Sequence, residues 1–77
     1  MKYKSETLKR KIKTLVGYRK KYFISVKEIS EDTGISQATL YRFEKGECDS
    51  MYVFDRYANF IAKILRKEYL EHYAKKK

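Results

Sequence analysis

Two residues of this 77-residue chain carry groups that often act as metal ligands or nucleophiles, the single cysteine Cys48 and the single histidine His72. A structural zinc site needs about four such ligands, and a nucleophilic thiol needs a base beside it. The sequence places no third ligand near either residue and contains no glycine-rich phosphate loop or paired-histidine zinc motif. We therefore expect no enzyme activity, no metal, no cofactor and no small-molecule ligand, with Cys48 an ordinary loop residue.

The basic residues give a stronger chemical signal. Nineteen Lys and Arg against ten Asp and Glu leave a net charge of +9. The first 21 residues hold nine basic side chains and one acidic, residues 22–62 are net −3, and residues 63–77 are net +4. Such a surplus predicts a polyanionic partner, nucleic acid first and an anionic membrane second. For the terminal run Lys75–Lys77, a solvated surface is an equal alternative.

Length and composition restrict the fold to a single small domain. We expect it to span residues 1–77, with a core over about 6–64 and a helical extension over about 65–75. A hydrophobic content of 43% argues against disorder, and the absence of proline favours helices. No apolar run approaches the ~18 residues of a membrane span, and the N-terminus lacks the apolar segment of a signal peptide. With one cysteine no disulfide can form within the chain, which favours the cytoplasm.

Apolar periodicity predicts long helices near both ends of an all-α fold of four to five helices. Ser5 is a candidate cap for the first, over about residues 6–22, and Asp49 or Ser50 for the last. No helix breaker occurs from Met51 to Ala74, which predicts one helix of ~24 residues, with a break near residues 64–67 as the alternative. The first helix would turn inward Leu8, Ile12, Leu15, Arg19 and Tyr22, and the last Phe54, Tyr57, Ala58, Ile61, Ile64 and Leu65.

Two short helices are predicted in the middle of the chain, on either side of a glycine. Ser25 and Glu28 match the capping box of the first, and Gly34 suits the left-handed residue that ends it. Ser36 would cap the second, which Gly46 would stop. This is a helix-turn-helix layout, in which the second helix offers its outward side chains to the major groove of DNA. The two helices are expected over about residues 26–33 and 37–45, locked together by Ile29, Ile35 and Leu40.

The segment Ile29–Phe43 resembles the helix-turn-helix of the phage-repressor/Cro-type regulators, the XRE family, and the likeness runs from about Leu8 to Ile61. Its most specific parts are Gly34-Ile35-Ser36 and the Glu44–Gly46 ending. The resemblance implies a double-stranded DNA-binding repressor, acting as a homodimer on a palindromic operator in a bacterial cell or phage-infected host. It also implies a partly buried ion pair between Arg19 and Glu44 that clamps the first helix to the third, with an exposed, incidental pair as the alternative.

The resemblance further implies which side chains contact DNA. Gln37 has the groups for a bidentate contact with adenine and Arg42 for one with guanine, while Ala38 and Thr39 can touch a thymine methyl group. The positions matching base-reading sites are Gln37, Ala38, Thr39 and Arg42, with Tyr41 beside them. The expected phosphate contacts are Ser36, Lys45, Lys27, Lys9 and Lys13.

The chain departs from the family pattern at two places. Val26 stands where the family commonly has a phosphate-binding glutamine, and Lys27 is expected to substitute for it. The loop after the third helix is often basic in the family, but Glu47 and Asp49 make it acidic here. Either the compensating cations are Lys9, Arg10, Lys13, Lys2 and Lys4, or the chain docks on DNA differently from the family.

The C-terminal segment carries one further stripe, formed by Leu65, Tyr69, His72 and Tyr73. We expect it to pair with a second copy in a two-fold dimer, which would set DNA half-sites ~34 Å apart. Folding back on its own domain and lying on a membrane surface are the alternatives.

Three other interpretations stay open. Residues 39–43 also resemble the recognition helix of TetR-type regulators, although those need a large ligand-binding domain that 77 residues cannot hold. A protein-binding module of phage or mobile-element origin, such as an inhibitor or antirepressor, would explain the acidic middle. The chain could also be the detached DNA-binding domain of a longer regulator, against which the terminal lysines argue mildly.

Overall fold

Four helices make up the regular structure of the residues described by the computed structural model, which covers the backbone of residues 6–75 and the side chains of residues 6–68. They are α1 (Glu6–Lys21), α2 (Val26–Thr33), α3 (Gln37–Glu44) and α4 (Met51–Lys75). The all-α prediction is therefore confirmed, and the predicted bounds are met to within one residue. The alternative break near residues 64–67 does not occur, since α4 is one helix of 25 residues, which is ~37 Å long.

The helix ends follow from local side-chain chemistry. The Ser25 hydroxyl accepts from the amide of Glu28 at 3.0 Å, and the Glu28 carboxylate accepts from the amide of Ser25 at 2.8 Å. Gly34 ends α2 with φ +79°. Ser50, rather than Asp49, caps α4, because its hydroxyl accepts from the amide of Val53 at 3.3 Å. The predicted cap of α1, Ser5, lies outside the described residues.

The core lies where α2, α3 and α4 meet under α1. Phe43 of α3 and Tyr57 of α4 are fully buried, with ring centroids 4.8 Å apart. Ile29 and Leu40 are also fully buried and join α2 to α3. Ile24, Val26 and Val53 are buried as well, although apolar periodicity does not predict them in the core. The first two flank the cap of α2, where a turn rather than a helical stripe directs the side chains inward.

The C-terminal half of α4 leaves the core gradually. Among the described side chains of α4, Ile61 is the last that is fully packed, and Ile64 and Leu65 are partly buried against the core. Arg66, Lys67 and Glu68 are exposed, and the helix continues to Lys75. In the described part of the chain, no helix combines the length and apolar character needed to cross a membrane.

Candidate nucleic-acid interface

The outward face of α3 carries the predicted base-reading residues. Gln37, Ala38, Tyr41 and Arg42 are exposed, and Thr39 is half-buried. The inward face of the same helix is anchored by Leu40 and Phe43, both fully buried. Because a helix repeats every 3.6 residues, this anchoring keeps the polar row pointed at solvent.

The N-terminal end of α3 is organised by Ser36. Its hydroxyl accepts from the amide of Thr39 at 3.2 Å and donates to the Thr39 hydroxyl at 2.9 Å. The amides of Gln37 and Ala38 lie in the first turn, where a helix has no carbonyl one turn earlier to accept from them. This end of α3 therefore presents backbone donors and the positive end of the helix dipole to solvent.

The C-terminal end of α3 is held by Glu44. Arg19 donates from Nε to Glu44 Oε2 at 2.6 Å and from a terminal nitrogen to Oε1 at 3.2 Å. A second terminal nitrogen of Arg19 donates to the carbonyl of Ile24 at 2.9 Å. The side chains of Arg19 and Glu44 are only 14% and 11% exposed. Burial works against the charge of Arg19, but its hydrogen bond and attraction to Glu44 raise its pKa overall.

Tyr57 completes this arrangement from α4. Its hydroxyl donates to Glu44 Oε2 at 2.6 Å. Burial, and then the hydrogen bond to the carboxylate and its charge, raise the pKa of Tyr57 well above its ordinary value. We call Arg19, Glu44 and Tyr57 the clamp. Since the clamp ties the end of α3 to both α1 and α4, it fixes the angle at which the exposed row of α3 is presented.

A cationic cleft adjoins the C-terminal end of α3. It has a volume of about 400 Å³. Lys9, Arg10 and Lys13 of α1 line it, together with Lys45 after α3. The fold therefore brings three of the predicted phosphate-contacting lysines to one place. The other residues lining the cleft are Glu6, Ile12, Glu44 and Gly46.

The remaining predicted contacts are distributed around the interface. Lys27 is exposed in the first turn of α2, and Ser36 is exposed at the start of α3. The acidic loop side chains Glu47 and Asp49 are both exposed, while Cys48 is half-buried. Among the described side chains, no three metal-ligating groups lie together. Lys2 and Lys4 lie outside the described residues.

The predicted dimerisation stripe is described only at its start. Leu65 packs partly against its own core. Tyr69, His72 and Tyr73 lie on α4, but their side chains are outside the described residues. Since α4 is continuous to Lys75, the segment does not fold back as a separate helix.

Two features of the site were not predicted from the sequence. Apolar periodicity places Tyr57 in the core but does not predict its contact with Glu44. The signal for that contact is the phenol itself, because a buried hydroxyl needs a hydrogen-bond partner. Phe23, in the turn between α1 and α2, has a positive φ of +58° and a side chain 93% exposed. Nothing in the local residue pattern indicated that conformation for a phenylalanine.

Comparison with known proteins gives one match. A family model described as a Cro/C1-type HTH DNA-binding domain matches residues 14–66, which is more than half of the chain. The matched region includes the second half of α1, all of α2 and α3, and α4 as far as Arg66. No curated protein and no solved structure matched the chain.

Proposed function

Because the chain belongs to the Cro/C1-type helix-turn-helix DNA-binding family, we propose that it is a sequence-specific regulator of transcription that binds double-stranded DNA. We further propose that it is a repressor, acting as a homodimer on a palindromic operator. The observation that supports this most is the division of α3 into a fully buried face and an exposed row of side chains suited to base edges. A helix held this firmly can enter the major groove without rearranging.

In the proposed complex, α3 reads bases through its exposed row. Arg42 donates two hydrogen bonds to O6 and N7 of a guanine, and Gln37 pairs with N6 and N7 of an adenine. Ala38 and the methyl group of Thr39 contact a thymine methyl group, and Tyr41 flanks them. Each bidentate contact would be worth ~1–3 kcal/mol of discrimination against a wrong base.

Phosphate contacts on either side of α3 would set its register. The cationic cleft places Lys9, Lys13 and Lys45 together at one end of the helix. At the N-terminal end of α3, Ser36 and the unpaired backbone amides of the first turn would face phosphates of the other DNA strand. Lys27 would add a positive charge from α2. These contacts would carry affinity rather than sequence information.

A homodimer would place two copies of α3 about one turn of DNA apart, ~34 Å. We propose that α4 beyond Leu65 forms the two-fold contact through Tyr69, His72 and Tyr73. A dimer bound across a promoter would repress by excluding polymerase. Sedimentation equilibrium at micromolar concentration tests the dimer directly, and a monomer both free and on DNA would contradict it.

Selection of bound duplexes from a random pool at ~150 mM salt tests the function itself. At that salt non-specific phosphate binding is weakened, so enrichment reports base readout. The proposal predicts one enriched motif with two symmetric halves. Recovery of unenriched sequence after several rounds would contradict a specific reader.

The exposed acids Glu47 and Asp49 favour a second candidate, a protein-binding module that uses the same fold. Such a protein would act as an inhibitor or antirepressor and would bind DNA weakly at physiological salt. Capture of a stoichiometric protein partner, lost in a Glu47→Lys/Asp49→Lys variant, together with a failed DNA selection would support this candidate over the repressor.

A further inference from the structure

Phe23 occupies a position where its side chain does nothing for the fold. It is the one non-glycine residue with positive φ among residues 6–75, at +58°. Its side chain is 93% exposed, the highest exposure among the large exposed hydrophobic side chains. The left-handed region disfavours residues with a Cβ, and an exposed phenylalanine gains nothing from burial.

The backbone of this turn is fixed by its neighbours. The amide of Phe23 donates to the carbonyl of Lys20 at 3.2 Å, and the amide of Ile24 donates to the carbonyl of Arg19 at 2.9 Å. These two bonds form a Schellman motif, in which the left-handed position is usually glycine. Arg19 also holds the carbonyl of Ile24 at 2.9 Å, and Ile24 is buried. The ring of Phe23 is therefore held outward by a rigid turn.

The residues close to Phe23 along the chain are rich in lysine. Lys20 and Lys21 precede Phe23 and Lys27 follows it, and all three are exposed. The turn leads directly into the capped N-terminal end of α2, which is the positive end of that helix dipole. An outward aromatic ring with exposed lysines on neighbouring residues is complementary to a surface that combines anionic groups with apolar ones.

We propose that Phe23 packs against the sugar–phosphate backbone of the DNA duplex that α3 reads, with the lysines on the adjoining phosphates. The inference rests on the proposed function and deepens it, since it assigns a contact outside the bases that face α3. The deoxyribose carbons supply apolar surface for the ring, and the phosphates pair with the lysines. The contact is independent of base sequence.

DNA fits this site better than an anionic membrane or a second copy of the chain. Arg19 links the turn to the clamp, because it binds both the carbonyl of Ile24 and the carboxylate of Glu44. The ring is thus held in fixed relation to α3. A single ring on a turn that Arg19 ties to the end of α3 needs no conformational change to extend the interface of that helix.

The test compares wild type with Phe23→Gly and Phe23→Tyr on a duplex carrying the selected operator and on a random duplex of equal length. Glycine removes the backbone strain, so Phe23→Gly should raise the unfolding midpoint while weakening binding to both duplexes by about tenfold. Phe23→Tyr keeps a ring and should bind within about twofold of wild type. Because the ring is uncharged, the slope of log K against log salt should not change in Phe23→Gly, whereas Lys21→Ala should reduce it by about one.

Several results would overturn the inference. If wild type binds the operator and Phe23→Gly binds it equally well, the assignment of Phe23 fails while the proposed function stands. If wild type binds neither duplex, the proposed function fails and the inference fails with it. Two controls address the other partners of such a ring. Binding of wild type to phosphatidylserine vesicles, or self-association, that is lost in Phe23→Gly with DNA binding intact would assign the ring to a membrane or to a second copy.

Discussion

The hydroxyl of Tyr57 and Nε of Arg19 share one carboxylate oxygen, Oε2 of Glu44, and each lies 2.6 Å from it. Three helices therefore meet at a single acidic side chain, at the end of the helix that carries the exposed polar row. The carboxylate is mostly buried, so the loss of either donor leaves part of a charge without a partner. This relationship links the stability of the fold to the orientation of α3.

Replacing Tyr57 by phenylalanine tests the α4 side of the clamp. The ring should stay packed on Phe43, while Glu44 loses one charge-assisted hydrogen bond. We expect the free energy of unfolding to fall by about 1–2 kcal/mol, measured by urea denaturation. Tyr18→Phe, which changes a half-buried tyrosine of α1, is the matched control and should stay within about 0.5 kcal/mol of wild type. Equal losses in the two variants would show that the Glu44 contact contributes nothing special.

Replacing Arg19 by methionine tests the α1 side. The change keeps much of the side-chain volume but leaves the Glu44 carboxylate paired with Tyr57 alone, and it frees the Ile24 carbonyl. We expect a loss of about 3 kcal/mol, a large fraction of the stability of so small a domain. Lys20→Met, at the exposed neighbouring position, controls for the removal of a positive charge. The clamp would be unnecessary if Arg19→Met unfolded at the same urea concentration as Lys20→Met.

The raised pKa of Tyr57 predicts a stability change at alkaline pH. Burial and the Glu44 carboxylate hold the proton on the folded-state phenol, whereas an unfolded tyrosine loses it near pH ~10. The stabilisation is therefore complete below pH ~10 and is lost as the pH rises above that value, with a limiting slope of about 1.4 kcal/mol per pH unit.

Urea denaturation of wild type and Tyr57→Phe between pH 7 and pH 11 measures this effect. The two free energies of unfolding should converge above pH ~10, because only wild type has the titrating group. A constant difference across that range would mean that Tyr57 ionises equally in both states.

The cationic cleft predicts a specific dependence on salt. If Lys9 and Lys13 contact phosphates, each change to alanine should reduce the slope of log K against log salt by about 0.9 and weaken binding to all sequences alike. Lys63→Ala is the control, because Lys63 lies on α4 and its ammonium is 3.6 Å from Asp32. The slopes are measured by fluorescence anisotropy at salt concentrations between about 50 and about 300 mM. Unchanged slopes for Lys9→Ala and Lys13→Ala would remove α1 from the interface.

Local signals made most of the fold predictable. The N-terminal ends of α2 and α3 are fixed by side-chain oxygens that accept from backbone amides three residues away. The side chains concerned are those of Ser25, Glu28 and Ser36. The exposed row of α3 also follows from periodicity once Leu40 and Phe43 are assigned to the core. Local chemistry and helical period needed no knowledge of how the helices pack.

Long-range geometry set the limit of prediction. The pairing of Arg19 with Glu44 was expected from a family resemblance, because 25 residues separate them and no spacing rule connects them. The third partner, Tyr57, depends on how α4 crosses α3, which apolar periodicity does not specify. The left-handed conformation of Phe23 could not be predicted, because residue preference alone would place glycine at that turn.

The central claim is that the outward face of α3 reads bases, and Arg42 tests it most directly. The measurement is the affinity of wild type and Arg42→Ala for the selected operator and for variants with each base pair changed in turn. The account predicts that Arg42→Ala loses ~1–3 kcal/mol on the operator and becomes indifferent to one base pair in each half-site, while discrimination elsewhere is retained. If Arg42→Ala shows the same base preferences as wild type at every position, Arg42 does not read DNA and the proposed orientation of α3 is wrong.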